Sequence, residues 1–167
     1  MKQKTLIGIG VVVLTLGGLY WLAKTGSNEG NEVTSAGPVT QTSPLKASES
    51  SYNFGTISMA AGNVAHEFKV VNESSTPVTI RKIYTSCMCT TAHLIRGETK
   101  RGPFGMPGHA PVPEINEEIA PGEEIAIEAM FDPTAHGPAG IGRNDRAIYL
   151  ETDNGVTELQ FTVFVQP

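Results

Sequence analysis

From Ser51 onward the sequence is governed by a period of two. In "NVAHEFKVVN", Val64, His66, Phe68 and Val70 share one face; in "EEIAIEAMFD", Ile125, Ile127, Ala129 and Phe131 alternate against Glu124, Ala126, Glu128 and Met130. Successive side chains on a strand point to opposite faces, so this alternation is the pattern of a half-buried β-sheet. "PVTIRKIYTS" places Val78 and Ile80 on one side and, after an irregularity, Ile83 and Thr85 on the other. "RAIYLETDNGVTELQFTVFV" reads as a hairpin about Asn154-Gly155, a strong turn dipeptide, with Leu159, Phe161, Val163 and Val165 inward. With "YNFGTI" at its start, the region holds about seven strands, which predicts an all-β, immunoglobulin-like β-sandwich over residues 51–167. No segment of helical period competes there. Abundant glycine and proline suit such a loop-rich fold, and a net charge of -5 without a basic block excludes a nucleic-acid surface.

The first 50 residues obey different rules. Lys2 and Lys4 precede an uncharged run from Thr5 to Ala23, closed by Lys24. As a helix rising about 1.5 Å per residue, this run nearly spans a hydrocarbon core of roughly 30 Å. Tyr20 and Trp21 stand at its far end, where aromatics favour the membrane interface. Residues 1–24 therefore read as a single transmembrane helix. The competing reading is a cleaved secretory signal, against which bulky Trp21 precedes Ala23 by two positions. Either one exports the β-rich region, to a periplasmic or extracellular location. Residues 25–50 are rich in Ser, Thr, Gly, Asn, Pro and Glu, and read as a flexible tether.

One later stretch breaks the strand rhythm. "IRGETKRGPFGMPGHAPVPEIN", Ile95 to Asn116, carries four prolines and four glycines and is excluded as a central strand. It follows "TSCMCTTAHL", which holds both cysteines of the chain, Cys87 and Cys89.

Three segments, "SYNFGTI", "AHEFKVVNESSTPVTIRKIYTSCMCTTA" and "IAPGEEIAIEAMFDP", together resemble the bacterial domain of unknown function 1573 family. The resemblance covers most of Ser51 to Pro167. It implies an exported immunoglobulin-like sandwich, related in shape to other strand-rich scaffolding modules, with no general activity attached. The family's Ser-Cys-Gly-Cys-Thr signature is matched by Ser86, Cys87, Cys89 and Thr90, with Met88 in place of the glycine. The loop after the cysteines also exceeds the family's spacing.

In an extended segment Cys87 and Cys89 would face the same way with Cα atoms about 6.6 Å apart, at the upper edge of disulfide geometry. Three readings are open, in this order: a structural pair lining the sandwich, a soft-metal site, and a thiol–disulfide exchange pair. Thiolate, thioether and imidazole ligands select Cu(I), and Cys87, Cys89, His93, Met106 and His109 offer all three types. A closed four-ligand zinc pattern is not evident. His66 reads as packed within its strand and His136 as solvated. Glu117, Glu118, Glu123 and Glu124 read as solvated charge about a Pro-Gly turn. Catalytic motifs such as G-x-S-x-G or H-E-x-x-H are absent from the sequence.

The expected function is binding or assembly in the cell envelope without catalysis. The partners would be the membrane, through the N-terminal helix, and an unidentified envelope protein. No cofactor is expected unless it is Cu(I). The intact protein should fractionate with membranes; a mature N-terminus near Lys24, found by mass spectrometry, would instead establish a cleaved signal.

Overall fold

The computed structural model describes residues 43–167, so the expected helix of residues 1–24 lies outside the described residues. Among those described, no helix is long and apolar enough to cross a membrane. Ten strands follow one another: β1 (Leu45–Ala47), β2 (Ser51–Ser58), β3 (Val64–Asn72), β4 (Val78–Thr85), β5 (Thr90–Arg96), β6 (Thr99–Phe104), β7 (Glu117–Ile119), β8 (Glu124–Phe131), β9 (Gly142–Thr152) and β10 (Gly155–Gln166). They form two five-stranded sheets, ordered β1-β3-β8-β5-β6 and β2-β10-β9-β4-β7. Pairing is antiparallel throughout except for β2, which runs parallel to β10. The sheets contribute to one core, so the domain is a β-sandwich, with ten strands where the sequence predicts about seven.

The predicted alternation is realised for most positions, but Val64 and His66 are only partly buried, and Ile83 and Thr85, read as facing away from Val78 and Ile80, turn inward with them. Phe68, Val70, Val78, Ile80, Ile83, Ile125, Ile127, Ala129, Phe131, Leu159, Phe161, Val163 and Val165 are all buried. The irregularity in β4 is a register shift against β9 between Ile80 and Lys82, which lets Ile80 and Ile83 both face inward. The β9–β10 turn consists of Asp153 and Asn154, with Gly155 already paired to Thr152. Gly155 adopts φ 132, a conformation that an L side chain rarely reaches.

Besides β5, three strands were not read from the sequence. The first lies within the segment read as tether: Leu45 is only 1% exposed, and Leu45–Ala47 pairs with the end of β3. Ser43 is also buried; its backbone N–H donates to the Val156 carbonyl, and its hydroxyl accepts from Thr152 Oγ1. The sandwich thus includes residues 43–50; the rest of the segment read as tether lies outside the described residues. The second, β6, lies in the Gly/Pro-rich stretch and is an edge strand beside β5, the position in which proline is tolerated. The third, β7, is a short edge strand on β4.

Glu117 and Glu123, read as solvated, are engaged in ion pairs. Arg96 donates to Glu123 through Nε and Nη2 at 2.5 and 2.7 Å and to Glu117 at 2.8 Å, and Arg101 also bonds Glu117. These bonds tie the turn after β7 to the β5–β6 hairpin.

Phe161→Ala should cost roughly 3–5 kcal/mol and Leu45→Ala roughly 2–5 kcal/mol in chemical denaturation, as core truncations do. A Leu45→Ala cost within ±0.5 kcal/mol, the surface range, would return residues 43–50 to the tether.

Candidate functional site

The chain leaves one sheet at Thr85 and enters the other at Thr90, and the cysteines lie on the connection. They are not extended, as assumed from the spacing, but form a tight turn: the Thr90 N–H donates to the Cys87 carbonyl at 3.1 Å. Ser86 anchors the start, donating its N–H to the Ala147 carbonyl and accepting the Ala147 N–H at its hydroxyl, both at 2.9 Å. The buried Thr85 hydroxyl lies 3.0 Å from the carbonyls of both Cys87 and Thr90. Among the described residues Asn116 is the one non-glycine with positive φ, so Met88 occupies its turn position without left-handed backbone. A side chain is therefore tolerated at that position. Its side chain is 46% exposed.

The turn brings the two thiols together. Neither is in a disulfide; Cys87 is half-buried, Cys89 is buried, and their sulfurs lie 2.8 Å apart with Cys89 donating. Two further residues complete the cluster. His136 Nε2 is 3.0 Å from Cys87 Sγ, and the Arg146 Nε–H donates to Cys89 Sγ at 3.1 Å. His136 is held by the turn after β8. There the Asp132 N–H donates to the Cys89 carbonyl at 2.9 Å, Thr134 caps Asp132 Oδ1 through N–H and hydroxyl, and the Gly137 N–H closes on the Thr134 carbonyl. Arg146 lies on β9 in step with Ile148 and Leu150, so it points inward; Asn144 Oδ1 and the Asp145 carbonyl accept its other N–H groups.

The surroundings separate the two thiols electrically. Burial pushes Cys87 up, but hydrogen bonds from the side chain and backbone of Cys89 and from His136, with the charge of Arg146, outweigh it and bring Cys87 down from 9.0 to about 7. Cys89 is raised, first by burial and then by its bond to Cys87, and Arg146 and Thr90 offset this only in part. Contact with Arg146 alone would favour the charge on Cys89. We place it on Cys87, the sulfur that water reaches, with Cys89 as its hydrogen-bond donor.

Of the other residues singled out in the sequence, His93 alternates onto the outer face of β5. Its Nδ1 is 3.0 Å from Glu128 Oε2, in a direction that makes no hydrogen bond, and Lys100 takes the same oxygen at 2.7 Å. Met106 and His109 belong to a tight turn in which the N–H groups of His109 and Ala110 donate to the Met106 carbonyl. His66 stacks on Tyr52 with ring centroids 3.6 Å apart and bonds Glu49. Among the described residues, the group of three His, Cys, Asp or Glu side chains compact enough for a metal is Cys87, Cys89 and His136, with ligand atoms within 4.8 Å of one another. The signal for Arg146 was in the sequence, as a cation on the inward parity of β9. His136 gave none, because the contact spans 49 residues.

The rate of Cys87 alkylation should rise with pH about a midpoint near 7, since the thiolate is the nucleophile. His136→Ala removes a bond to the thiolate and should move that midpoint upward. A midpoint at the free-thiol value, unmoved by the substitution, would mean that the cluster does not form in solution.

The sandwich is shared by a protein of unknown function from Porphyromonas gingivalis W83, at 13% identity and TM-score 0.54, over 75% of this chain and 48% of that one. The chain therefore spans about half the length of that structure, and the likeness is one of fold alone. Less similar are the Vibrio cholerae VesB protease (13% identity, 74% of this chain, 32% of that one, TM-score 0.44) and the YadV chaperone (10%, 74%, 53%, 0.40). A comparison with curated proteins finds no match in sequence. Residues 45–104, which run from β1 through the cysteine turn to β6, match the family described as "Protein of unknown function (DUF1573)", the family that the sequence resembles.

Proposed function

We propose that the protein is a membrane-tethered, immunoglobulin-like module held outside the cytoplasm, whose working part is the Cys87–Cys89 dithiol, and that it exchanges disulfides with other envelope proteins. The observation that carries this reading is the asymmetry of two adjoining cysteines, one half-buried beside His136 and the other buried against Arg146. Inert core cysteines would both be buried; a nucleophile must be reachable and a resolving thiol must sit behind it. Compartment supports the reading as well, because disulfides persist outside the cytosol and the basic, then apolar, N-terminus is of the exporting kind.

The exchange runs in two displacements. The Cys87 thiolate attacks one sulfur of a partner disulfide; that S–S bond breaks, and the departing sulfur leaves with the electron pair and takes a proton. Cys89, after giving up its proton, attacks Cys87 Sγ in the mixed disulfide and expels the second partner sulfur as a thiolate. The partner gains two electrons, and the pair becomes a Cys87–Cys89 disulfide. The reverse sequence oxidises a partner dithiol. His136, 3.0 Å from Cys87, is placed to take and return the proton.

The test is to mix the reduced full-length protein with glutathione disulfide and follow adducts by mass spectrometry. Wild type should lose two thiols and gain an internal bridge, Cys89→Ser should accumulate glutathione on Cys87, and Cys87→Ser should stay unmodified. If the native wild type neither carries an adduct nor forms a bridge, while the urea-unfolded protein does, the pair is structural and exchange is wrong.

A further inference from the structure

We propose that Cys87, Cys89 and His136 form a binding site for a single soft monovalent cation, Cu(I). This replaces the ligand set suggested by sequence proximity, in which His93, Met106 and His109 would have joined the cysteines. It does not rest on the exchange reading, since a dithiol can bind Cu(I) without exchanging and can exchange without binding it.

Geometry comes first. The two sulfurs and the His136 Nε2 lie within 4.8 Å of one another at the mouth of the cysteine turn, on two loops that the Asp132–Cys89 backbone bond holds together. With metal–sulfur bonds of roughly 2.3 Å, a trigonal ion needs its ligand atoms ~4 Å apart. The sulfurs, at 2.8 Å, must therefore part by about 1 Å. Cys89 is fixed in the core, so the movement falls to Cys87, which is half-buried, and to His136, which is exposed. Both sit on the solvent side of the cluster; Cys87 keeps one flank against the core, and its shift gives up part of that contact.

Charge chooses the ion. Two thiolates carry two negative charges, and Arg146, 3.1 Å from Cys89 Sγ, supplies one positive charge, while the neighbouring Asp145 carboxylate, which also feels Arg146, is balanced by its pair with Arg143. A monovalent ion makes the site neutral. Zn(II) would leave one uncompensated positive charge beside a guanidinium that cannot lose its proton. Softness points the same way, as thiolates select Cu(I). Coordination does too: the cluster supplies three ligands, and structural zinc asks for four. Arg146 then acts as an outer partner that orients and neutralises Cys89.

The experiment is an anaerobic titration of the reduced full-length protein with Cu(I) held in a colorimetric chelator, with folding of each variant checked by its thermal melt. Wild type should take one equivalent. His136→Ala should weaken binding by roughly tenfold or more, since even outer-shell losses cost that much. Cys87→Ser should abolish stoichiometric binding, and the double variant Met106→Ala, His109→Ala should match wild type. Absorption spectroscopy at the copper edge should show sulfur and nitrogen neighbours, and the copper-loaded protein should resist alkylation at Cys87. Three results would each overturn the assignment: a folded His136→Ala that binds like wild type, loss of binding in the Met106, His109 variant, or stoichiometric uptake of Zn(II) but not Cu(I). Failure here with a positive glutathione experiment leaves exchange standing; the opposite outcome leaves the metal site standing alone.

Discussion

Between Thr85 and Thr90 the backbone must leave one sheet and enter the other, and a turn that short would strand polar groups inside the sandwich unless something bonded them. The Thr85 hydroxyl does so: it is buried, and it reaches the carbonyls of Cys87 and Thr90 at 3.0 Å each, sharing one proton between them. An unpaired buried carbonyl costs about as much as a lost hydrogen bond; the Cys87 carbonyl also accepts the Thr90 N–H, so the hydroxyl and the turn bond together favour the turn over an extended path. Everything at the site depends on that choice. A strand would have set the cysteines side by side along one face, whereas the turn folds Cys89 inward and leaves Cys87 at the surface.

The core was legible because burial imposes its period on the sequence. Each apolar inward residue of β3, β8 and β10 could be read from alternation, and the slip in β4 showed as a break between Ile80 and Ile83, though not that both face inward. The edges were not legible. β1 buries Leu45 fully and Ala47 in part, and three residues are too few to show a period. β6 was hidden by Gly102 and Pro103, which argue against a central strand but not against an edge one. The parallel pairing of β2 with β10 joins distant segments, and local pattern carries no information about such partners.

The site divides along the same line. The two cysteines were evident from their spacing, though their conformation was not: the Thr85 bonds that set it are local, but they form because the hydroxyl is buried where the chain passes between the sheets. His136 sits in a stretch whose local signals are those of a surface turn, and it is one; its significance comes from where the Asp132–Cys89 bond docks that turn. Arg146 is an inward-facing cation, and a cation at the margin of a core needs an anion near it. Asn144 Oδ1 and a backbone carbonyl satisfy its hydrogen bonds but not its charge. The dithiol can supply that charge by losing a single proton.

The burial of Ser43 gives the domain a polarity. Its partners Thr152 and Val156 flank the β9–β10 hairpin, whereas the partner of Cys89 on β9 is Arg146. Six residues of strand separate Thr152 from Arg146, about 20 Å at 3.3 Å per residue. The chain therefore enters the sandwich at one pole and carries its thiols toward the other. At that separation, changes at the Ser43 end and changes at the thiols act on the domain independently of one another.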